Sequence, residues 1–414
     1  MAFATVSSTE RRSTFGRFVL AGASALALLA GSPRDLAAQH GQIPEVLRQF
    51  EGGVALAVPV DDVKVLEAPE PDLRRVYVYD TAAFDVVTKI YGIDGSTGRV
   101  LGQIDTGLLT NMVLYDSGRK VYLAETWFKR FSQGPRDDFI RCQDPKTFST
   151  SCDFDIPEGR FLVMTMPQMT DVTTDGRYLL FYQFAPDPGV GIVDLQNQRH
   201  LTTLSVPDCY LVFPSGPRSF FMLCREGSLL SVAFDERGEA QMKQTPVLRP
   251  ADKHFFDTPA FSRKAGKVFF LSYDGDVFPV ELAGTEARMG KPFSLFSEAE
   301  RKEGWAPGGW LPAAWHRASD RLYVLVDKRA EWTHAFPSGW VYVYDTKSGT
   351  RVGTIKLDHP ATSIAVSQDP EPLLYGLQAH GGTLEIYDAR TGALRQKVSE
   401  LGREPYIVMT PEEG

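Results

Sequence analysis

The strongest constraint on this chain is a unit that repeats. An apolar run closed by an acidic turn recurs at Asp94, Asp144, Asp194, Asp235, Glu281, Asp345 and Asp388, and the six intervals average 49 residues. A unit of that length builds one small sheet, which cannot bury both of its faces by itself, so neighbouring units must cover them. Radial stacking closes such a set into a ring. The expected fold is all-β: a seven-bladed β-propeller with four-stranded antiparallel blades and one short helical insertion.

The turns have a mechanism. In Ile93-Asp94-Gly95-Ser96-Thr97-Gly98, Tyr344-Asp345-Thr346-Lys347-Ser348-Gly349 and Tyr387-Asp388-Ala389-Arg390-Thr391-Gly392, Asp opens the hairpin and Gly sits late in it. The Asp carboxylate hydrogen-bonds the turn amides, and Gly adopts a positive φ without a steric penalty. The preceding runs, such as 75–79, 178–182, 268–271, 322–326 and 340–344, are short and rich in β-branched and aromatic residues, which favours strands over helices. Val-Tyr-Val-Tyr-Asp-Thr occurs at 76–81 and again at 341–346, but in different phase to the turns, so the identity reflects strand composition. The widest interval, 64 residues between Glu281 and Asp345, holds the helical insertion. There Ser297-Glu298-Ala299-Glu300 has the pattern of a capping box, and Gly304 is placed to end the helix.

Residues 1–38 read as an export signal peptide. Arg11 and Arg12 precede an apolar run from Phe18 to Ala30, and Ala37-Ala38 offers small residues for cleavage. That run is too short, and too soon broken by Gly31, Pro33, Arg34 and Asp35, for a membrane anchor. The arginine pair fits a twin-arginine route except that Phe15 lies one place late. Residues 39–65 form an N-terminal arm in which 54–58 is a candidate strand, and 66–414 form the propeller. The expected location is the periplasm, with no membrane span after signal removal. A net charge of −8 without a basic stripe excludes nucleic-acid binding.

Four cysteines in an exported chain favour two disulfides over free or redox-active thiols. Local pairing, Cys142 with Cys152 and Cys209 with Cys224, is the simplest of the three connectivities that four cysteines allow.

Signatures of catalysis are missing. There is no Cys-x-x-Cys-His haem attachment, Gly-x-Ser-x-Gly elbow, Walker loop or dinucleotide fingerprint. The seven histidines (His40, His200, His254, His316, His334, His359, His380) include no pair at helical metal-ligand spacing. No catalytic residue, cofactor or metal is expected in this chain. The cluster from Gly304 to Trp310 has two readings, a rigid platform for a partner protein or packing of the insertion on its own blade.

Several segments, in order, resemble the heavy (large) subunit of methylamine dehydrogenase, in the quinoprotein amine dehydrogenase family. They are Leu180-Phe181-Tyr182-Gln183-Phe184-Ala185-Pro186, Val206-Pro207-Asp208-Cys209-Tyr210, Phe220-Phe221-Met222-Leu223-Cys224-Arg225, the 304–310 cluster, His316-Arg317-Ala318 and Glu331-Trp332-Thr333-His334. The resemblance runs from Leu66-Glu67-Ala68-Pro69 to Gln368-Asp369. It implies a light (small) subunit in a two-plus-two heterotetramer and tryptophan tryptophylquinone carried by that partner. It further implies oxidative deamination of methylamine to formaldehyde and ammonia, with electrons passed to an amicyanin-type blue-copper protein. This chain alone is then inactive. The family's heavy-chain disulfide maps onto Cys209 and Cys224, whereas the stretch around Cys142 and Cys152 departs from the family pattern. Asp80-Thr81-Ala82-Ala83-Phe84 matches the position of a phenylalanine that lines the amine channel, so the resemblance makes Phe84 a substrate-channel residue. From the residues alone, Phe84 packed between blades is the competing reading.

Three other functions compete. A cofactor-free exported propeller acting as a protein-binding module fits the Tyr-rich strands at 76–80 and 341–345. The heavy subunit of an aromatic amine dehydrogenase would share the architecture. An eight-bladed quinone alcohol dehydrogenase needs one more repeat and a docking Trp in most blades. Here Trp127 stands alone and Trp305, Trp310, Trp315, Trp332 and Trp340 crowd together.

Overall fold

The computed structural model describes residues 66–81 and 87–412. The signal peptide of 1–38, the arm of 39–65 and Phe84 lie outside the described residues. What is described belongs to one compact unit, Val65–Gly414.

Seven antiparallel sheets are present, five of four strands and two of five. In the first blade, Arg75–Asp80, Thr88–Asp94 and Val100–Thr106 are joined on the inner side by the last strand of the chain, Pro405–Met409. The ends of the propeller therefore meet in one sheet, and this pairing closes the ring. The other blades use consecutive strands, counted outward from the axis. The two larger sheets arise because Phe293–Ser294 also pairs with Asp276–Ala283, and Trp305–Pro307 with Arg321–Lys328. Innermost strands of successive blades lie beside one another. Leu311, just ahead of the innermost strand Ala313–His316, forms a parallel bridge with Ser363 of the next blade.

Burial follows from this stacking. Second and third strands such as Arg75–Asp80, Tyr178–Gln183, Gly189–Asp194, Ser219–Cys224 and Thr383–Asp388 are buried along their whole length, because neighbouring blades cover both faces. This explains why sequences such as Tyr178–Gln183 and Ser219–Cys224 are apolar runs and not alternating patterns. Aromatic rings fill the wedges between blades. Phe213 meets Phe261 and Phe270 edge-on at 5.3 and 5.7 Å, and Phe269 meets Trp315 at 5.0 Å.

Six of the seven acidic marks close the hairpin between third and fourth strands. The Oδ1 of Asp94 accepts from the amides of Ser96 and Thr97 at 2.9 and 3.3 Å, and that of Asp388 from Arg390 and Thr391 at 3.0 Å each. Asp144, Asp194, Asp235 and Asp345 each accept two turn amides in the same way. Gly98, Gly349 and Gly392 follow with φ of 72, 69 and 75° and donate back to the Asp carbonyl. In the second blade Phe148 takes that left-handed position, with φ 55°. Its ring covers Gly92 and Gly102 of the first blade, where a Cβ would stand 2.4 and 2.6 Å from it.

Glu281 is the exception and corrects the repeat reading. It lies inside the strand Asp276–Ala283, 3.6 Å from Arg288 across the sheet. That blade turns at Gly284 and Thr285, with Gly284 at φ 58°. A two-residue turn with glycine at its first central position needs no carboxylate cap.

The insertion folds as expected. A helix over Glu298–Lys302 starts with Ser297 and Glu300 in a reciprocal capping box and is followed by Gly304 at φ 86°. Both disulfides are present. Cys209–Cys224 bridges the first two strands of the fourth blade, and Cys142–Cys152 the last two of the second. Each joins residues directly opposite in register, with Cα atoms 3.9 and 4.8 Å apart respectively. Among the described residues no helix is long and apolar enough to cross a membrane.

Candidate partner-docking face

The antiparallel order of each blade sorts its connections by end. Asp-capped hairpins lie at one end of the strands; loops between second and third strands, and the crossings to the next blade, lie at the other. The two ends differ in chemistry. All five exposed Phe, Tyr or Trp side chains among the described residues, Trp127, Phe131, Phe184, Trp332 and Phe336, sit in or beside second-to-third loops. Val163 and Met164, on the crossing from the second to the third blade, are exposed as well. A face that concentrates exposed aromatic area is the signature of a protein interface.

The second blade reaches furthest. Lys120–Arg130 and Gln133–Gln143 are eleven residues each, longer than the inner strands of the other blades. Phe131 at the hairpin tip has φ 59° and is 82 % exposed, between exposed Lys129 and Arg130 on one side and Gln133 on the other. The root of this hairpin is held by buried charge. The carboxylate of Glu125 pairs with Arg141 at 2.6 Å and accepts from the Trp127 indole at 2.8 Å and the Gly107 amide at 3.0 Å. Burial pushes the Glu125 pKa up, against the pull of Arg141. Beside it, fully buried Arg160 donates to the Leu109 carbonyl at 2.8 Å and to Asn111 Oδ1 at 2.6 Å. Burial lowers its pKa to about 10, although Asp138 and Glu125 oppose the shift.

On the fifth and sixth blades, the same face opens into a cleft of about 410 Å³. Its wall is aromatic. His334 stacks on Tyr273 at 3.7 Å, and His254 lies 5.4 Å from Trp332 and 6.0 Å from Tyr273. Burial, and then Arg329, lower the pKa of His334, so its ring is neutral near pH 7. Arg329 is turned away into the loop, donating to the Thr333 carbonyl at 2.7 Å and Ser338 Oγ at 2.5 Å.

The 304–310 cluster is mainly structural. Trp305–Pro307 adds a strand beside Lys328, Asp327 and Val326, and the Trp305 ring lies 5.5 Å from Tyr342. Gly308 is covered by the Arg329 guanidinium, 2.2 Å from where a Cβ would stand, and the Trp310 amide donates to the Thr362 carbonyl at 2.6 Å. The cluster thus packs on its own blade and ties it to the seventh, while Trp305 also borders the cleft. His316 is a core residue, with Nδ1 2.7 Å from Ser319 Oγ. Asp358, His359 and Glu385 have ligand atoms within 4.8 Å of one another. His359 Nδ1 and Glu385 Oε1 are 2.7 Å apart, with Lys397 Nζ 3.6 Å from the same oxygen, so this group is an inter-blade strut. The signal missed in the sequence was the pairing of buried Glu125 with Arg141; both strands carry several other charged residues, so the pattern did not single these two out.

The sequence pattern of the methylamine dehydrogenase heavy chain (MADH) family matches residues 72–412. The chain belongs to that family. It is 44 % identical over 351 residues to the methylamine dehydrogenase heavy chain of Paracoccus versutus, covering 84 % of this chain and 82 % of that one. Against the heavy chain of Methylorubrum extorquens the identity is 39 % over 400 residues, covering 96 % and 97 %. A functionally unknown protein from Desulfotomaculum acetoxidans shares the fold alone, at 12 % identity and a TM-score of 0.55 over 82 % of this chain and all of that one. Membership of a heavy-chain family implies association with a light subunit.

Proposed function

We propose that this chain is the scaffold subunit of a periplasmic methylamine dehydrogenase, exported by its first 38 residues and assembled with a light subunit as a two-plus-two heterotetramer. The observation that carries this reading is the heavy-chain family match over residues 72–412. Tryptophan tryptophylquinone in the light subunit supplies the oxidation of the amine to aldehyde and ammonia, and an amicyanin-type copper protein takes the electrons. The heavy chain binds, orients and encloses. Its ring of blades gives a rigid seat, its loop face supplies aromatic contact area, and Phe84 narrows the amine entrance.

Purification from the native periplasm tests the assembly. A co-purifying small subunit whose quinone absorbance bleaches on adding methylamine is expected, and a heavy chain that elutes alone, without chromophore, overturns the proposal. The channel role is separate. Phe84→Ala is expected to raise kcat/KM for longer amines relative to methylamine by about tenfold, the range of a pocket changed by a few methylene volumes. Unchanged ratios would assign Phe84 to packing.

A further inference from the structure

The cleft between the fifth and sixth blades has the makings of a ligand site beyond the function just proposed. Its mouth carries Trp332, 65 % exposed with φ 63°. A bulky residue in the left-handed region is held there at a cost of about 1–2 kcal/mol, and such strain gathers at binding sites. Trp332, His254, Tyr273 and Trp305 present aromatic surface to the same cleft. The negative faces of aromatic rings attract cations.

The charges favour the same ligand. Of the two arginines bordering the cleft, Arg301 is paired with Asp276 at 2.6 Å, whereas Arg329 donates to the neutral Thr333 carbonyl at 2.7 Å and keeps a positive charge that one rim carboxylate offsets. Asp274 is matched by Lys253 and Arg301. That leaves Asp252 and Glu331 on the rim, both exposed and without an ion-pair partner among the described residues. The buried Nδ1 of His334 likewise has no hydrogen-bond partner among the described residues and can accept from a hydroxyl or N–H carried by the ligand.

We propose that this cleft binds an organic ammonium cation between Trp332, His254 and Tyr273, with Asp252 and Glu331 supplying the counter-charge. The ammonium group is either a free small molecule or a cationic side chain of a docked partner; the chemistry recognised is the same.

The test uses choline and 3,3-dimethylbutan-1-ol, which share a shape and differ in charge. Tryptophan fluorescence of the full-length chain is titrated with each at constant ionic strength. Choline is expected to give a saturable change at least tenfold tighter than the alcohol, and Trp332→Leu to weaken it at least tenfold while the melting temperature stays unchanged. Asp252→Asn with Glu331→Gln is expected to weaken choline alone. Equal affinity for the two probes, no saturable change, or an unaltered response in Trp332→Leu overturns the assignment. Repeating the titration on the assembled complex separates the sources. Retained binding identifies a free ammonium ligand, and lost binding a cationic side chain of the partner. Because the first titration needs no light subunit, its failure leaves the proposed function standing.

Discussion

Single residues show where this propeller departs from the arrangement most favourable to its own stability. Phe131 holds an exposed ring at φ 59° on the tip of the longest hairpin, where glycine would be the relaxed choice. Among the described residues that ring is 82 % exposed, which makes it a candidate partner contact. Opposite signs are expected from Phe131→Gly. Relief of the left-handed strain raises stability by about 1 kcal/mol, while loss of an aromatic anchor weakens association with the small subunit about tenfold. Urea unfolding and a binding titration read the two effects independently; a variant that keeps wild-type affinity would remove the hairpin tip from the interface. The buried pair Glu125–Arg141 and the buried Arg160 serve the same hairpin from below, fixing its root on the blade.

At the scale of the element, the Asp-capped hairpin is the repeated part, and its behaviour with pH follows from its charge. Burial works to raise the Asp388 pKa, but Arg395 and the amides of Thr391 and Arg390 outweigh it and hold the carboxyl down at about 2. A depressed folded-state pKa means that the contribution is complete above the unfolded value near 4 and is lost as pH falls through about 2. Asp388→Asn keeps the turn acceptor and discards the attraction to Arg395, which stands 2.7 Å away. It should lower stability by about 1 kcal/mol at pH 7, and the gap from wild type should shrink toward zero by pH 2. A gap independent of pH would show that the carboxylate charge contributes nothing. The fifth blade is the internal control, because its glycine turn has no carboxylate to titrate.

At the scale of the whole molecule, stability depends on closure. Pro405–Met409 pairs with Arg75–Asp80 across more than three hundred residues of chain, and Ser363 Oγ donates to the Tyr406 carbonyl on the neighbouring blade. Deleting residues 405–414 strips the first blade of its inner strand and exposes Tyr77 and Tyr79, now fully buried. Loss of a single cooperative melt is the expected outcome, with partial rescue when the strand is supplied as a peptide, since the vacated edge is a template for pairing. A truncated chain with wild-type melting temperature would mean that ring closure is not what holds the blades together. The shared aromatic face is also a property at this scale. Trp127, Phe131, Phe184, Trp332 and Phe336 are spread over more than two hundred positions and share one face only because every blade repeats the same strand order.

The sequence by itself determined what is local or periodic: the β class, seven units, the Asp–Gly hairpins, the capping box at Ser297 and the short-range cysteine pairs. Each of these depends on residues a few positions apart, or on a period that recurs. Tertiary structure alone decided the rest. The chain terminus completes the first blade, Glu281 serves as a strand residue, buried carboxylate and guanidinium groups root the second-blade hairpin, and five scattered aromatics converge on one face. All of these rest on contacts between residues far apart in sequence, which no local spacing encodes and which exist only once the ring has closed.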